Sequence, residues 1–219
     1  MDEFKLVSEN RRAKQLLMGL AFVAIVILGW FYSLLGYFIP LCMLAGIGMG
    51  LRKGRKWCNW YCPRGSFYDA LIRAISPEKH MPVVFRRMYF RIIVLAILMS
   101  VMALNLILRL PDPFSMGKVF VVMLTITTVV GIILALMFHQ RSWCMLCPIG
   151  TLTNIVGRNK AMLKIDSNLC IECKLCEKVC PVQIKPYFYK KDGIQLMKDG
   201  DCLTCGLCIA ACPTKALNF

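Results

Sequence analysis

The sequence predicts an all-α membrane domain of four spanning helices, built as two duplicated helical hairpins, followed by a small α+β domain dense in cysteine. Three observations predict it. Four apolar stretches each approach the roughly 20 residues a helix needs to cross a bilayer. A cysteine–proline motif follows the second stretch and recurs after the fourth. Eight of the thirteen cysteines fall in two runs after residue 169. The hydrophobic share of 58% agrees, because ordinary soluble domains stay nearer half. The boundary is set after residue 162, giving a membrane domain over 1–162 and a cysteine-rich domain over 163–219.

The spans are read as 15–32, 33–51, 89–108 and 118–138. The first two run together, broken only near 32–36, so a tight helical hairpin is expected there. Pro40 followed by Gly46, Gly48 and Gly50 predicts a kinked, closely packed second helix. No secretory leader is expected, since the first apolar run lacks a small-residue cleavage site. The spans so read hold no Asp, Glu or His, the groups that mark proton and ion paths, which argues against pumping by this chain alone. His80 and His139 fall at the span boundaries and read as surface or interfacial residues, not as haem ligands. Cys42, in mid-span, reads as a packing cysteine. No G-x-G-x-x-G run is present, so dinucleotide binding would need a partner.

The net charge is +15, from 27 Lys and Arg against 12 Asp and Glu. Residues 1–159 carry 18 of the positive charges against 6 negative ones, clustered beside the spans. Examples are Arg11, Arg12 and Lys14; Arg52, Lys53, Arg55 and Lys56; Arg86, Arg87 and Arg91; and Arg141 and Arg158. By the positive-inside rule both termini, the 52–88 loop and the cysteine-rich domain are cytoplasmic, on an inner membrane. The charge is read as a fringe against anionic headgroups rather than a nucleic-acid surface.

The cysteine–proline motif reads WCNWYCPRG at 57–65 and WCMLCPIG at 143–150. Aligning Cys62 with Cys147 pairs Pro63 with Pro148, Gly65 with Gly150, Ser66 with Thr151 and Arg73 with Arg158. Trp57 and Trp143 correspond after a one-residue gap. Proline fixes the backbone after each second cysteine. Ser66 and Thr151 are expected to cap the helices that follow, and the two tryptophans to sit in the headgroup belt. Two halves of like topology are related by an axis along the membrane normal and share sites at their interface. Cys58, Cys62, Cys144 and Cys147 should therefore face one another at the cytoplasmic edge. On their own, four such thiolates could hold zinc or an iron–sulfur cluster, or stand as two redox pairs.

The cysteine-rich domain narrows the choice. CIECKLCEKVCP from Cys170 and CLTCGLCIAACP from Cys202 are each C-x2-C-x2-C-x3-C-P, the bacterial ferredoxin run for a [4Fe–4S] cluster, whose fourth cysteine serves the other cluster. One cluster is expected on Cys170, Cys173, Cys176 and Cys212, and the other on Cys202, Cys205, Cys208 and Cys180. The segment 186–198 between the runs is expected to form a hairpin turning at 191–193. With this domain fused on, the four motif cysteines are better read as ligands of a third iron–sulfur cluster at the membrane surface.

Residues 163–219 closely resemble a two-cluster bacterial ferredoxin. The whole chain, with four spans, two W-C-x-C-P motifs and this tail, resembles the NapH-type membrane ferredoxins, relatives of the membrane part of NosR-like proteins. The resemblance implies an electron-transfer subunit, often described as a quinol dehydrogenase component. The second motif, C-x2-C-P, departs from the C-x3-C-P of that family. The resulting expectation is a subunit of a larger oxidoreductase complex of anaerobic respiration, not a catalyst alone. It would pass electrons between a membrane partner, with quinone a candidate, and a cytoplasmic donor or acceptor. The alternative is a redox-sensing or maturation protein using the same clusters.

Overall fold

The computed structural model describes residues 2–219. Among the described residues, four helices are long and apolar enough to span a membrane: Phe4–Phe31, Ser33–Lys53, Met88–Ile107 and Pro113–Met137. The corresponding α-helices are α1 (Asp2–Phe31), α2 (Phe38–Lys53), α5 (Met88–Ile107) and α6 (Pro113–Met137). Their outward side chains, such as Leu17, Leu44, Ile97 and Ile133, stay exposed, as a lipid-facing surface requires. The break between the first two is a 3-10 turn over Ser33–Tyr37. Pro40 lies in the first turn of α2, where its missing amide costs nothing, so the predicted kink is replaced by a continuous helix.

Two boundaries differ from the sequence expectation for local reasons. α1 begins before its apolar stretch, because its first turns bury Arg11 and Gln15 against the chain that follows α2. α6 begins at Pro113 rather than 118. Asp112 caps it by accepting from the amides of Phe114 and Ser115 at 3.1 and 3.2 Å, with proline at the first helical position.

Each motif forms two short helices at the end of the bundle opposite those turns: α3 (Lys56–Trp60) and α4 (Pro63–Phe67), then α7 (Ser142–Leu146) and α8 (Pro148–Gly157). The caps of α4 and α8 are Cys62 and Cys147 themselves, each followed by proline at the first helical position. Ser66 and Thr151 lie one turn further in and are buried, which corrects the capping expectation.

The cysteine-rich domain carries a three-stranded antiparallel sheet in the order β2-β1-β3, from β1 (Leu163–Asp166), β2 (Ile194–Met197) and β3 (Leu217–Asn218). β2 pairs with β1, Leu163 opposite Met197, so the expected hairpin within 186–198 does not form. Pro186–Tyr189 is instead a 3-10 turn. Short helices α9 (Leu175–Lys178) and α10 (Leu207–Ala210) carry the third cysteine of each run, Cys176 and Cys208.

The two parts share one core. Cys58 and Met145 of the motifs cluster with Leu163, Ile165, Val182, Ile184 and Met197 of the sheet domain. Polar ties reinforce the seam. Gln183 accepts from the amide of Met81 and donates to the carbonyl of Lys79, both at 3.0 Å. Arg86 donates to the carbonyls of Val182 and Gln183. The loop between α4 and α5 is thus a clamp on the sheet domain.

Candidate functional site

The motif site is built by an exchange of arginines between the two halves. Arg55, three residues before Cys58, donates through Nη2 to the carbonyl of Cys144 at 3.0 Å. Arg141, three residues before Cys144, donates through Nη1 to the carbonyl of Cys58 at 2.9 Å. Each half therefore holds the other's first cysteine in place. Both guanidinium groups pass over a glycine: a Cβ on Gly65 would stand 2.9 Å from Arg141 Nη1, and one on Gly150 would stand 2.9 Å from Arg55 Nη2. Those are the two glycines that the repeat pairs. The extra residue of the first motif, Tyr61, is absorbed at the end of α3, so the unequal spacing leaves the crossed contacts equivalent.

The arginines are buried, 1% exposed at Arg55 and 0% at Arg141, and a buried charge needs a hydrogen-bonded partner. Arg141 forms a two-pronged pair with Asp69, Nε to Oδ1 at 2.7 Å and Nη2 to Oδ2 at 2.6 Å. Arg11 of α1 joins the same carboxylate, and Gln15 donates to it at 2.8 Å. Burial pushes the Asp69 pKa up, but Arg141 and then Arg11 outweigh it and hold the value at about 2. Arg55 is paired with Asp201 at 3.0 Å, and Arg91 of α5 reaches both oxygens of that carboxylate at 2.6 and 2.7 Å. These four arginines therefore leave the headgroup fringe assigned to them from the sequence. Arg12, Arg52, Lys53, Arg87 and Arg158 remain exposed and still fit it.

Inside this frame the four motif sulfurs gather. Burial, and then repulsion from Cys58, Cys144 and Cys147, drives the Cys62 thiol upward; burial also raises Cys144, against the pull of Arg141. Cys144 Sγ lies 3.7 Å from Arg141 Nη1, Cys58 Sγ lies 3.7 Å from the Thr153 hydroxyl, and the Gly65 amide donates to Cys62 Sγ at 3.4 Å. Among the described residues, no three Cys, His, Asp or Glu side chains meet at the spacing of a single bound ion. A cubane places each thiolate on its own iron, so its ligands stand further apart than those of one zinc. Crowded thiols, two buried and two half-buried, with Arg141 against Cys144 fit such a polynuclear group, which supplies the charge that lets them ionise.

In the sheet domain, Cys170, Cys173, Cys176 and Cys212 line one cavity, and Cys180, Cys202, Cys205 and Cys208 line another. The backbone bends to wrap them. Glu172 and Thr204, Lys174 and Gly206, and Gln183 and Lys215 all have positive φ, and each pair is related by the 32-residue spacing of the two cysteine runs. Side-chain-bearing residues seldom adopt that conformation, and its recurrence at matched positions marks loops shaped around a group. The Ile184 amide donates to Cys180 Sγ at 3.4 Å, the kind of backbone bond that stabilises a thiolate.

Comparison with known proteins agrees with this geometry. Residues 162–213 match the 4Fe-4S dicluster domain. A second family, the 4Fe-4S binding domain, matches twice, over 35–82 and 121–165, one match for each motif. The chain is 27% identical to the ferredoxin-type protein NapH of Haemophilus influenzae, over 98% of this chain and 73% of that protein. The chain is a homologue of the NapH ferredoxin-type proteins. An uncharacterized protein of Methanocaldococcus jannaschii is 26% identical over 90% of this chain and 81% of its own length. The putative electron transport protein YccM of Escherichia coli is 23% identical over 80% and 54% respectively. No solved structure matches. The chain is thus an iron–sulfur electron-transfer protein with helices capable of spanning a membrane.

Two further groups at the site differ from the sequence expectation. Trp143 is 5% exposed and lies beneath the Arg64 guanidinium at 4.9 Å, so it is a core residue and not a belt residue. His139 is also buried, 4% exposed; its Nδ1 accepts from the Arg141 amide at 3.2 Å, and burial lowers its pKa to about 4. It acts as a neutral support for the Arg141 turn. His80 is exposed, as expected.

The glycine cradle yields a prediction. Gly65→Ala and Gly150→Ala should each cost about 1–3 kcal/mol and lower the unfolding temperature in detergent. Gly48→Ala, with nothing within 4 Å of the added carbon, should not destabilise. Equal behaviour of all three would contradict the crossed-arginine packing.

Proposed function

We propose that the chain is a membrane-anchored electron-transfer subunit that passes single electrons between a membrane redox partner and a cytoplasmic one. Its two ferredoxin-type sites would hold [4Fe–4S] clusters, one on Cys170, Cys173, Cys176 and Cys212 and the other on Cys180, Cys202, Cys205 and Cys208. Cys58, Cys62, Cys144 and Cys147 would hold a third iron–sulfur cluster. When bound, such clusters supply one-electron oxidation and reduction over potentials from about −700 to +450 mV. The observation that carries the reading is the reciprocal hold of Arg55 and Arg141 on the backbones of Cys144 and Cys58, which ties the two motifs together beside the sheet domain. The names of the similar proteins, a ferredoxin-type protein and an electron transport protein, point the same way. The excess of arginine and lysine beside this end of the bundle favours a cytoplasmic placement. We take 1–162 and 163–219 as the two structural domains, joined through their common core.

The membrane side offers a place for a lipid-soluble redox partner. Between α2, α5 and α6 lies a cavity of ≈ 160 Å³, lined by Pro40, Met43, Met102, Phe120 and Met123 and closed towards the motifs by Arg64 and Cys147. A dry cavity of roughly 150 Å³ accepts a single six-membered ring. Arg64 brings a charged group to its head: Nε and Nη2 are buried and have no hydrogen-bond partner among the described residues. In the repeat the equivalent residue is Ile149, so one half alone presents this charge. We assign the cavity to the ring of a quinone, with the Arg64 guanidinium donating to a ring oxygen and Cys147 beside it.

Iron analysis tests the cluster assignment. The anaerobically purified chain should carry about twelve irons, and Cys144→Ala about eight with its ferredoxin-type signals retained. About eight in the unaltered chain would remove the third site, and about ten would replace it with a two-iron centre. For the cavity, Arg64→Leu should weaken binding of a quinone analogue by about ten- to a hundredfold, the loss of one hydrogen bond to a charged donor, with iron content unchanged. Unaltered binding would place the quinone elsewhere.

A further inference from the structure

One buried carboxylate of the sheet domain reaches into the membrane domain. Asp201 directly precedes Cys202 and accepts from Arg55, Arg91 and Asn154, all residues of the membrane domain. In the first half, the matching socket of Arg141, Arg11 and Gln15 is filled by that half's own carboxylate, Asp69. The 85-residue offset that pairs Cys62 with Cys147 pairs Asp69 with Asn154. The second half therefore has an amide where the first has its carboxylate. That amide donates to Asp201 at 2.6 Å. The approach is close: a Cβ on Gly200 would stand 2.6 Å from Asn154 Oδ1.

We propose that Asp201 is a positioning residue that seats the ferredoxin-type domain in the vacant socket of the second half, and that its contact with Arg55 is the bonded bridge between Cys202 and the motif site. The bridge is short. From Cys202 it passes to its neighbour Asp201, across 3.0 Å to Arg55 Nη1, and across 3.0 Å from Arg55 Nη2 to the carbonyl of Cys144. Electron tunnelling weakens steeply with every added gap, so seating this loop also sets the order of sites. The four cysteines that include Cys202 come next to the motif site. The other four lie beyond, where Cys173 and Ile171 are exposed to an incoming partner. The second half has given up its own counter-charge, so Arg55 and Arg91 are compensated only when the domain is docked.

The bridge rests on the electron-transfer reading above, whereas the seating does not, and the experiment separates them. The full-length, cluster-loaded chain in lipid nanodiscs is compared with Asp201→Asn and with the double variant Asn154→Asp/Asp201→Asn. The double variant keeps a carboxylate in the socket but moves it to the membrane side. Hydrogen exchange is followed over 53–60 and 148–157, and reduction of the ferredoxin-type sites by a quinol analogue is timed. Both variants should exchange faster in those segments, Asp201→Asn by about thirtyfold or more, equivalent to ~2 kcal/mol, and both should be reduced more slowly. Unchanged exchange in Asp201→Asn, or wild-type behaviour of the double variant, would overturn the seating, since the carboxylate would then serve only to neutralise the arginines. If Asp201→Asn loses iron, the double variant alone decides. Faster exchange with an unchanged reduction rate would overturn the bridge. A native chain that accepts no electrons from the quinol analogue would refute that donor while leaving the exchange result to judge the seating.

Discussion

A buried guanidinium must be matched by acceptors, and at this site each of the two central ones finds its match in the other half of the chain. Arg55 and Arg141 are each committed in two directions, to a carboxylate and to the backbone of the opposite motif. Removing a carboxylate would strand a buried charge, at a cost of several kcal/mol. The helices, the motif turns and the sheet domain are therefore held in one relative arrangement. The apolar bundle by itself supplies no such specificity, because helix faces in lipid lack a strong hydrophobic drive towards any one packing.

The same frame explains why the thiols can be buried together. Burial, together with the neighbouring sulfurs, raises the Cys62 and Cys144 thiols. Positive groups close by, and an inserted cation-rich group, reverse that preference. Arg141 sits on Cys144 while remaining tied to Asp69. Arg64, with no carboxylate partner among the described residues, is the charge that lines the apolar cavity beside Cys147. Charge at the site thus differs from the seam, where two arginines share each carboxylate, to the membrane side, where Arg64 pairs with none among the described residues.

Much of this was legible in the sequence, and for identifiable reasons. The spans were set by apolar length, and the ferredoxin-type runs by a spacing few other chemistries share. The duplication was visible in Pro63 and Pro148 and in Gly65 and Gly150, residues that recur because the same turn and the same crossing arginine recur. The arginine exchange itself was hidden. In sequence, Arg55 and Arg141 look like members of a basic fringe, and nothing local separates a buried arginine from its exposed neighbour Arg52. The repeat held a usable signal, since Arg55 and Arg141 align, Asp69 faces Asn154, and Arg64 faces Ile149. A change of charge inside an otherwise faithful repeat marks where the two halves have taken different work. Ser66 and Thr151 have the chemistry of caps, but the prolines fix the helix starts three residues earlier. The strand pairing of β2 was missed because its partner β1 is distant in sequence.

The central claim is that thiols from both halves share one metal centre at the seam. Iron anomalous-difference density from crystals grown without oxygen would test it most directly. Three separate peaks are expected, two within the sheet domain and one enclosed by Cys58, Cys62, Cys144 and Cys147. Two peaks alone, with the four motif sulfurs well defined and nothing between them, would contradict it.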